Sequence, residues 1–135
     1  MKKLFSVKYS HLAFNIGMLV LRVVFGLALM ANHGYRKLTN FPTMKEKFMN
    51  FMNLGSTVSL SLITFAEFFC GFLLILGMFT RLAAIPVLIG MVVAFAMAHG
   101  AVFSEGEMPL VFACIAFLLL MVGPGKFSID GAISK

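Results

Sequence analysis

Charge is scarce in this chain. Of its 135 residues only 12% are charged, with five acidic side chains against eleven Lys and Arg. An ordinary soluble domain carries about 25% charged and about 45–50% apolar residues. Here 61% are hydrophobic, and the mean hydropathy is +1.00. So little polar surface cannot cover a water-soluble globule of this size, which leaves an integral membrane protein. Cysteine is scarce too. Cys70 and Cys114 lie inside apolar runs with no C-x-x-C, so neither a metal cage nor a structural disulfide is expected. Repeats, linkers and low-complexity tracts are missing. The net charge of +6 does not point to nucleic acid, because the cations sit at segment ends and no basic run interleaves with aromatics.

What is present is apolar sequence in four runs, at about 12–31, 54–78, 82–98 and 108–125. A helix crossing about 30 Å of hydrocarbon needs about 20 residues at about 1.5 Å each. The first two runs are long enough, the third is marginal and the fourth is short, so the bilayer or flanking side chains must absorb the mismatch. The first run follows Lys2 and Lys3 as a signal peptide would. It is long, however, contains Arg22 and lacks an A-x-A step before Asn32, so it reads as a retained span. The expected fold class is an all-α integral membrane four-helix bundle, one domain over 1–135.

Between spans one and two, 40-NFPTMKEKFMNFMNLG-55 offers a T-x-x-E capping box at Thr43 and Glu46. Phe41, Met44, Phe48, Phe51 and Met52 follow at three- and four-residue spacing, predicting a short amphipathic helix in the membrane interface. Ser104 and Glu107 make a second box before span four, with Pro109 close to its first turn. Pro86 should kink or thin span three. Four spans place both termini on one side. Lys2, Lys3, Lys8, Arg81, Lys126 and Lys135 then face Arg36, Lys37, Lys45 and Lys47, and that excess predicts cytoplasmic termini.

The ionisable residues inside the runs are the candidate site. Arg22 and Glu67 each lie about 15 Å from the start of their span, so an Arg22–Glu67 pair across antiparallel helices is expected. At about 100° per residue, Arg22, Gly26, Leu29 and His33 share a face, which Lys37 extends if the helix continues. Ser56, Thr64, Glu67 and Gly71 share one on span two, broken by Leu60. Small residues there let helices approach, and hydroxyls can bond across the gap. His33 and His99 close spans one and three at the same side, with Glu105 and Glu107 following, so a proton-exchanging or ligand-binding mouth is expected there. No H-x-x-x-H or E-x-x-H spacing occurs, and no metal site is expected.

These residues carry a resemblance. The chain resembles the DoxX family of small four-span membrane proteins, in particular its short inner-membrane members of the YqjF type. The resemblance rests on 67-EFFCGFLLILGMFTRLAA-84, on 22-RVVFGLALMANHGYRKL-38 with its closing H-G-x-x-K-L, on 94-AFAMAHG-100 and on 123-GPGKFSID-130. It implies an inner-membrane location and the company of respiratory and sulfur redox systems, the namesake polypeptides being associated with thiosulfate:quinone oxidoreductase. Arg81, in the T-R step of the first motif, joins Gly26, Ser56, Thr64 and Gly71 as expected structural support. The chain lacks a dinucleotide fingerprint, paired redox cysteines and a haem or copper ligand set, so whether it catalyses a reaction stays open.

Three functions fit. The first is a redox-associated subunit that binds quinone or another apolar ligand, with Arg22 and Glu67 at the polar end of the pocket and His33, Lys37 and His99 handling protons or ring oxygens. The second is a membrane anchor or scaffold for a soluble redox enzyme. The third is a small proton-coupled transporter, which the lack of a broken-helix pair or inverted repeat disfavours. Gly26, Gly71 and Gly77 also permit the close helix contacts of a homo-oligomer.

Overall fold

A computed structural model of the protein describes residues 3–97 and 106–135. The described residues form four apolar helices, of which three have the length and composition to cross a membrane. These are α1 (His11–Thr39), α3 (Ser56–Leu76) and α4 (Thr80–Met97). The fourth, α5 (Glu107–Val122), is shorter. Two short helices accompany them, α2 (Phe41–Met44) and α6 (Ile129–Ile133). The first run is much longer as a helix than its apolar stretch: 29 residues reach about 43 Å at about 1.5 Å per residue. It starts on a local cap, the Ser10 hydroxyl accepting from the Ala13 N–H at 3.0 Å.

Helices α1 and α3 cross antiparallel at two glycines. A Cβ on Gly26 would stand 2.6 Å from Ile75 Cγ1 and 2.7 Å from the Gly71 carbonyl oxygen, so only glycine permits this approach. Helices α4 and α5 pack along their length through Ala83, Ala84, Ala113 and Ala116, all buried. Around these contacts Met18, Phe25, Leu29, Leu74, Val87, Met91, Phe112 and Leu119 build the core. Outward, Leu62, Phe65, Phe69, Phe72, Ile89 and Val92 are exposed. So continuous an apolar exterior suits hydrocarbon.

Two stretches depart from regular α geometry. Ala28–Gly34 in α1 and Phe65–Cys70 in α3 are π-helical and lie against each other. The Tyr35 N–H reaches back five residues to the Met30 carbonyl. The wider turn moves the buried face on by one residue, so that Gly34 is buried and His33 only half-buried. Gly34 is tied to this packing, since a Cβ there would lie 2.6 Å from the Phe68 backbone nitrogen.

The amphipathic helix expected between spans one and two is cut short. After α2 the chain turns, and Phe51–Asn53 makes a single 3₁₀ turn with Met52 at φ 51°. Side chains take the backbone donors a helix would need: the Phe51 N–H donates to Ser59 Oγ at 3.0 Å and the Gly55 N–H to Asn50 Oδ1 at 2.8 Å. Thr43 does not cap; its hydroxyl donates to the Asn40 carbonyl at 2.9 Å. α4 continues through Pro86 without a break. Of the second capping box, Ser104 lies outside the described residues, and α5 begins after Gly106.

Candidate functional site

Arg22 and Glu67 do not meet. Arg22 is 1% exposed, and its guanidinium donates to the Pro124 and Phe127 carbonyls at 3.2 and 2.8 Å. Glu67 is 3% exposed and accepts from the Lys37 ammonium at 2.6 Å. Equal distance from the span starts misled the expectation because α1 runs well past its apolar stretch. The crossing sets Gly26 beside Gly71, Gly34 beside Phe68 and Arg22 beside Gly77. Residue 67 therefore lies level with the last turns of α1, where Lys37 projects.

The Lys37–Glu67 pair is the one ion pair among the described residues. It joins the end of α1 to the π-helical turn of α3 that carries Glu67. Isolated, such a carboxylate is costly in a membrane; with an ammonium donating a charge-assisted hydrogen bond it is tolerated. His33, four residues before Lys37, sets its imidazole edge-on against Phe112 of α5, ring centroids 5.5 Å apart, and Phe112 meets Phe25 in the same manner at 5.4 Å. His33, Lys37, Asn32, Arg36 and Asn40 line a cavity of about 370 Å³ at this end of α1. A second cavity of similar volume runs between α3 and α4, walled by Phe48, Phe51, Ile63, Phe65, Pro86 and Ile89. Ala66 lines this apolar groove, while Glu67 beside it serves the ion pair. His99, expected at the same mouth, lies outside the described residues.

The supporting residues divide. Gly26 and Gly71 make the helix crossing. Ser56 only opens α3. The Thr64 hydroxyl bonds the Leu60 carbonyl of its own helix at 2.7 Å rather than reaching across the gap. Arg81 is exposed and reaches the Met121 carbonyl at the end of α5 at 3.5 Å.

Arg22 belongs to a second constellation, at the end of the bundle where α1 begins. The segment 123–131 folds over that end and is held by backbone-directed bonds. Asn15 Oδ1 accepts from the Lys126 N–H at 2.7 Å, and the Asp130 N–H donates to the Gly77 carbonyl at 2.9 Å. The Asp130 carboxylate accepts from the Phe79 and Thr80 N–H groups, each at 2.8 Å, and so caps α4 from 50 residues away. Phe79 sits at φ 50°, where a bulky residue is rare, and this bond helps to hold it there. Sequence reading missed Asn15, Gly34, Phe112 and Asp130. Gly34 and Asp130 stood within quoted motifs, but none of the four carries a local signal of its distant partner.

Burial pushes the Asp130 carboxyl up, but the Thr80 and Phe79 N–H groups and the nearby Arg22 charge outweigh it, leaving the group below the usual carboxylate range. A carboxylate with a depressed folded pKa contributes stability at neutral pH that is lost as pH falls through that value. Asp130→Ala should therefore cost about 0.5–2 kcal/mol, the usual worth of a lost cap. It should also flatten the acid-side fall of the thermal midpoint in detergent; an unchanged pH profile would refute the cap's role.

Four apolar helices with a paired lysine and glutamate inside define a small integral membrane protein of the helical-bundle class. The chain belongs to the DoxX family: the family model described as DoxX matches residues 17–100. That stretch holds Arg22, His33, Lys37 and Glu67 and stops before α5 and the 123–131 segment. No curated protein and no solved structure matches the chain significantly.

Proposed function

We propose that this protein is a redox-associated subunit of the inner membrane that takes quinone or another apolar ring ligand, with the ligand's polar end at Lys37 and His33 and Glu67 paired behind Lys37. The observation that carries this reading is that Lys37 binds the buried Glu67 and at the same time walls a cavity of about 370 Å³. π-Helical turns inside α-helices occur frequently at functional sites. The residues suit such a ligand: the ammonium keeps two N–H donors beyond the one Glu67 accepts, and His33, also on the cavity wall, offers a third. When bound, a quinone supplies two-electron, two-proton redox chemistry. The protein's part is to orient a ring oxygen toward Lys37 and to hold a proton at Glu67 or His33. Electrons enter from a redox partner protein.

The test is quinone retention. Protein purified in mild detergent should carry extractable quinone or rebind a short-chain analogue, and Glu67→Gln should weaken binding at least tenfold while leaving a monodisperse folded sample. A wild-type protein that neither carries nor binds quinone ends this reading. The anchor reading then takes its place. It has its own support, since Arg22 is spent on the 123–131 segment, which builds a structured surface at the end of the bundle where α1 begins.

A further inference from the structure

The cavity at the end of α1 holds more donors than a ring ligand uses. Residues 32, 36 and 40 recur every four positions and 33 and 37 lie beside them, so one face of the final turns supplies two amides, a guanidinium, an ammonium and an imidazole. α2 follows directly and contributes Thr43 and Met44 to the lining. Among the described residues no carboxylate lines this cavity. Glu67, paired with Lys37, is 3% exposed. Among the described residues Arg36 makes no ion pair, and the hydrogen bonds it enters there use its backbone carbonyl, which accepts from Thr39 and Asn40.

We infer that this cavity binds an oxyanion of the phosphate or sulfate type, held by the Arg36 guanidinium, a free N–H of Lys37 and the Asn32 amide. A guanidinium presents a planar fork that matches two oxygens of such a group, and an amide completes its coordination. Charge decides the sign. Lys37 and Glu67 cancel, while Arg36 contributes a full positive charge. The C-terminal end of α1 opposes it with about half a negative charge. Among the described residues lining the cavity the balance is positive but modest, so binding is weak and salt-sensitive. At the end of a membrane-spanning helix the oxyanion can come from solution or from a lipid headgroup, and the chemistry is shared. This inference goes beyond the ring-ligand reading, which uses neither Arg36 nor Asn32.

The experiment uses the full chain in nanodiscs of zwitterionic lipid, titrated with sodium sulfate or phosphate against chloride at constant ionic strength. The readout is the Asn32 side-chain amide resonance. A saturable shift that Arg36→Gln weakens at least tenfold and Arg36→Lys partly restores supports a site for the free anion. The same Arg36-dependent shift appearing only when phosphatidylglycerol is added to the disc supports the headgroup as the source. Arg36 is exposed, so the variants should fold, and an unchanged thermal midpoint verifies it. If neither anion nor phosphatidylglycerol produces an Arg36-dependent shift, the inference is overturned. Quinone retention measured on the same samples separates its failure from that of the ring-ligand reading.

Discussion

Lys37→Met should lower folded stability by about 3–5 kcal/mol, the range seen when one partner of a buried ion pair is removed. The loss comes from what remains. Glu67 is left 3% exposed without the ammonium that neutralises it. The reverse substitution is milder. Glu67→Gln leaves Lys37, whose side chain is 18% exposed against 4% for that of Glu67, with a route to solvent and a neutral oxygen still beside it. Its cost should fall nearer to that of one charge-assisted hydrogen bond, about 1.5–3 kcal/mol. Lys37→Met combined with Glu67→Leu should recover most of the loss, because a well-packed apolar pair often equals a buried ionic one. Chemical denaturation in detergent micelles measures all three. Equal losses for both single variants would contradict the asymmetry in burial. Recovery of stability in the double variant without recovery of quinone retention would separate the pair's structural contribution from its proposed work on a ligand.

Gly77→Ala should be as damaging, for reasons of space rather than charge. Gly77 ends α3 at φ 68°. The Gly77 N–H donates to the Leu74 carbonyl and the Met78 N–H to that of Leu73, at 3.2 and 3.0 Å. A left-handed conformation alone costs a non-glycine residue about 1–2 kcal/mol. Here a Cβ would also fall on Arg22 Nη1, 2.6 Å from its Cζ, and 2.5 Å from Ser128 Cβ. Arg22 cannot swing aside without giving up the carbonyls of Pro124 and Phe127. The combined cost should reach about 3–5 kcal/mol, and Arg22→Leu should cost a similar amount by leaving both carbonyls unpaired. Accelerated limited proteolysis at residues 123–135 would report the released segment. Near-wild-type protection in Gly77→Ala would show that this clasp does not depend on the close approach.

Local pattern reached the membrane-spanning character and the helical class. Scarce charge excluded a soluble globule, and hydropathy located the four helices. Glycine spacing drew attention to Gly26, Gly71 and Gly77. The extension to Lys37 needed the helix to run on, and it runs to Thr39. The pairing was not legible. Depth counted from the start of an apolar run assumes that helix and run begin and end together, and α1 extends well beyond its run. Two π-helical turns compound the error. Each widens its helix by an increment that no three- or four-residue periodicity registers, so residues past it face elsewhere than a uniform 100° predicts.

The same division holds at the other end of the bundle. Sequence alone determined that Arg22, buried in an apolar helix, must find oxygen acceptors, because an unpaired guanidinium there is too costly to keep. It also determined that Glu67 must find a cation. Which oxygens and which cation were decided only in three dimensions. The Gly26–Gly71 crossing sets the relative height of α1 and α3, and that height gives Lys37 to Glu67. Arg22 is left to the Pro124 and Phe127 carbonyls, 102 and 105 residues away. Desolvation is a property of each residue and can be read one residue at a time. Partnership depends on the register between helices, and close packing sets that register only once they have met.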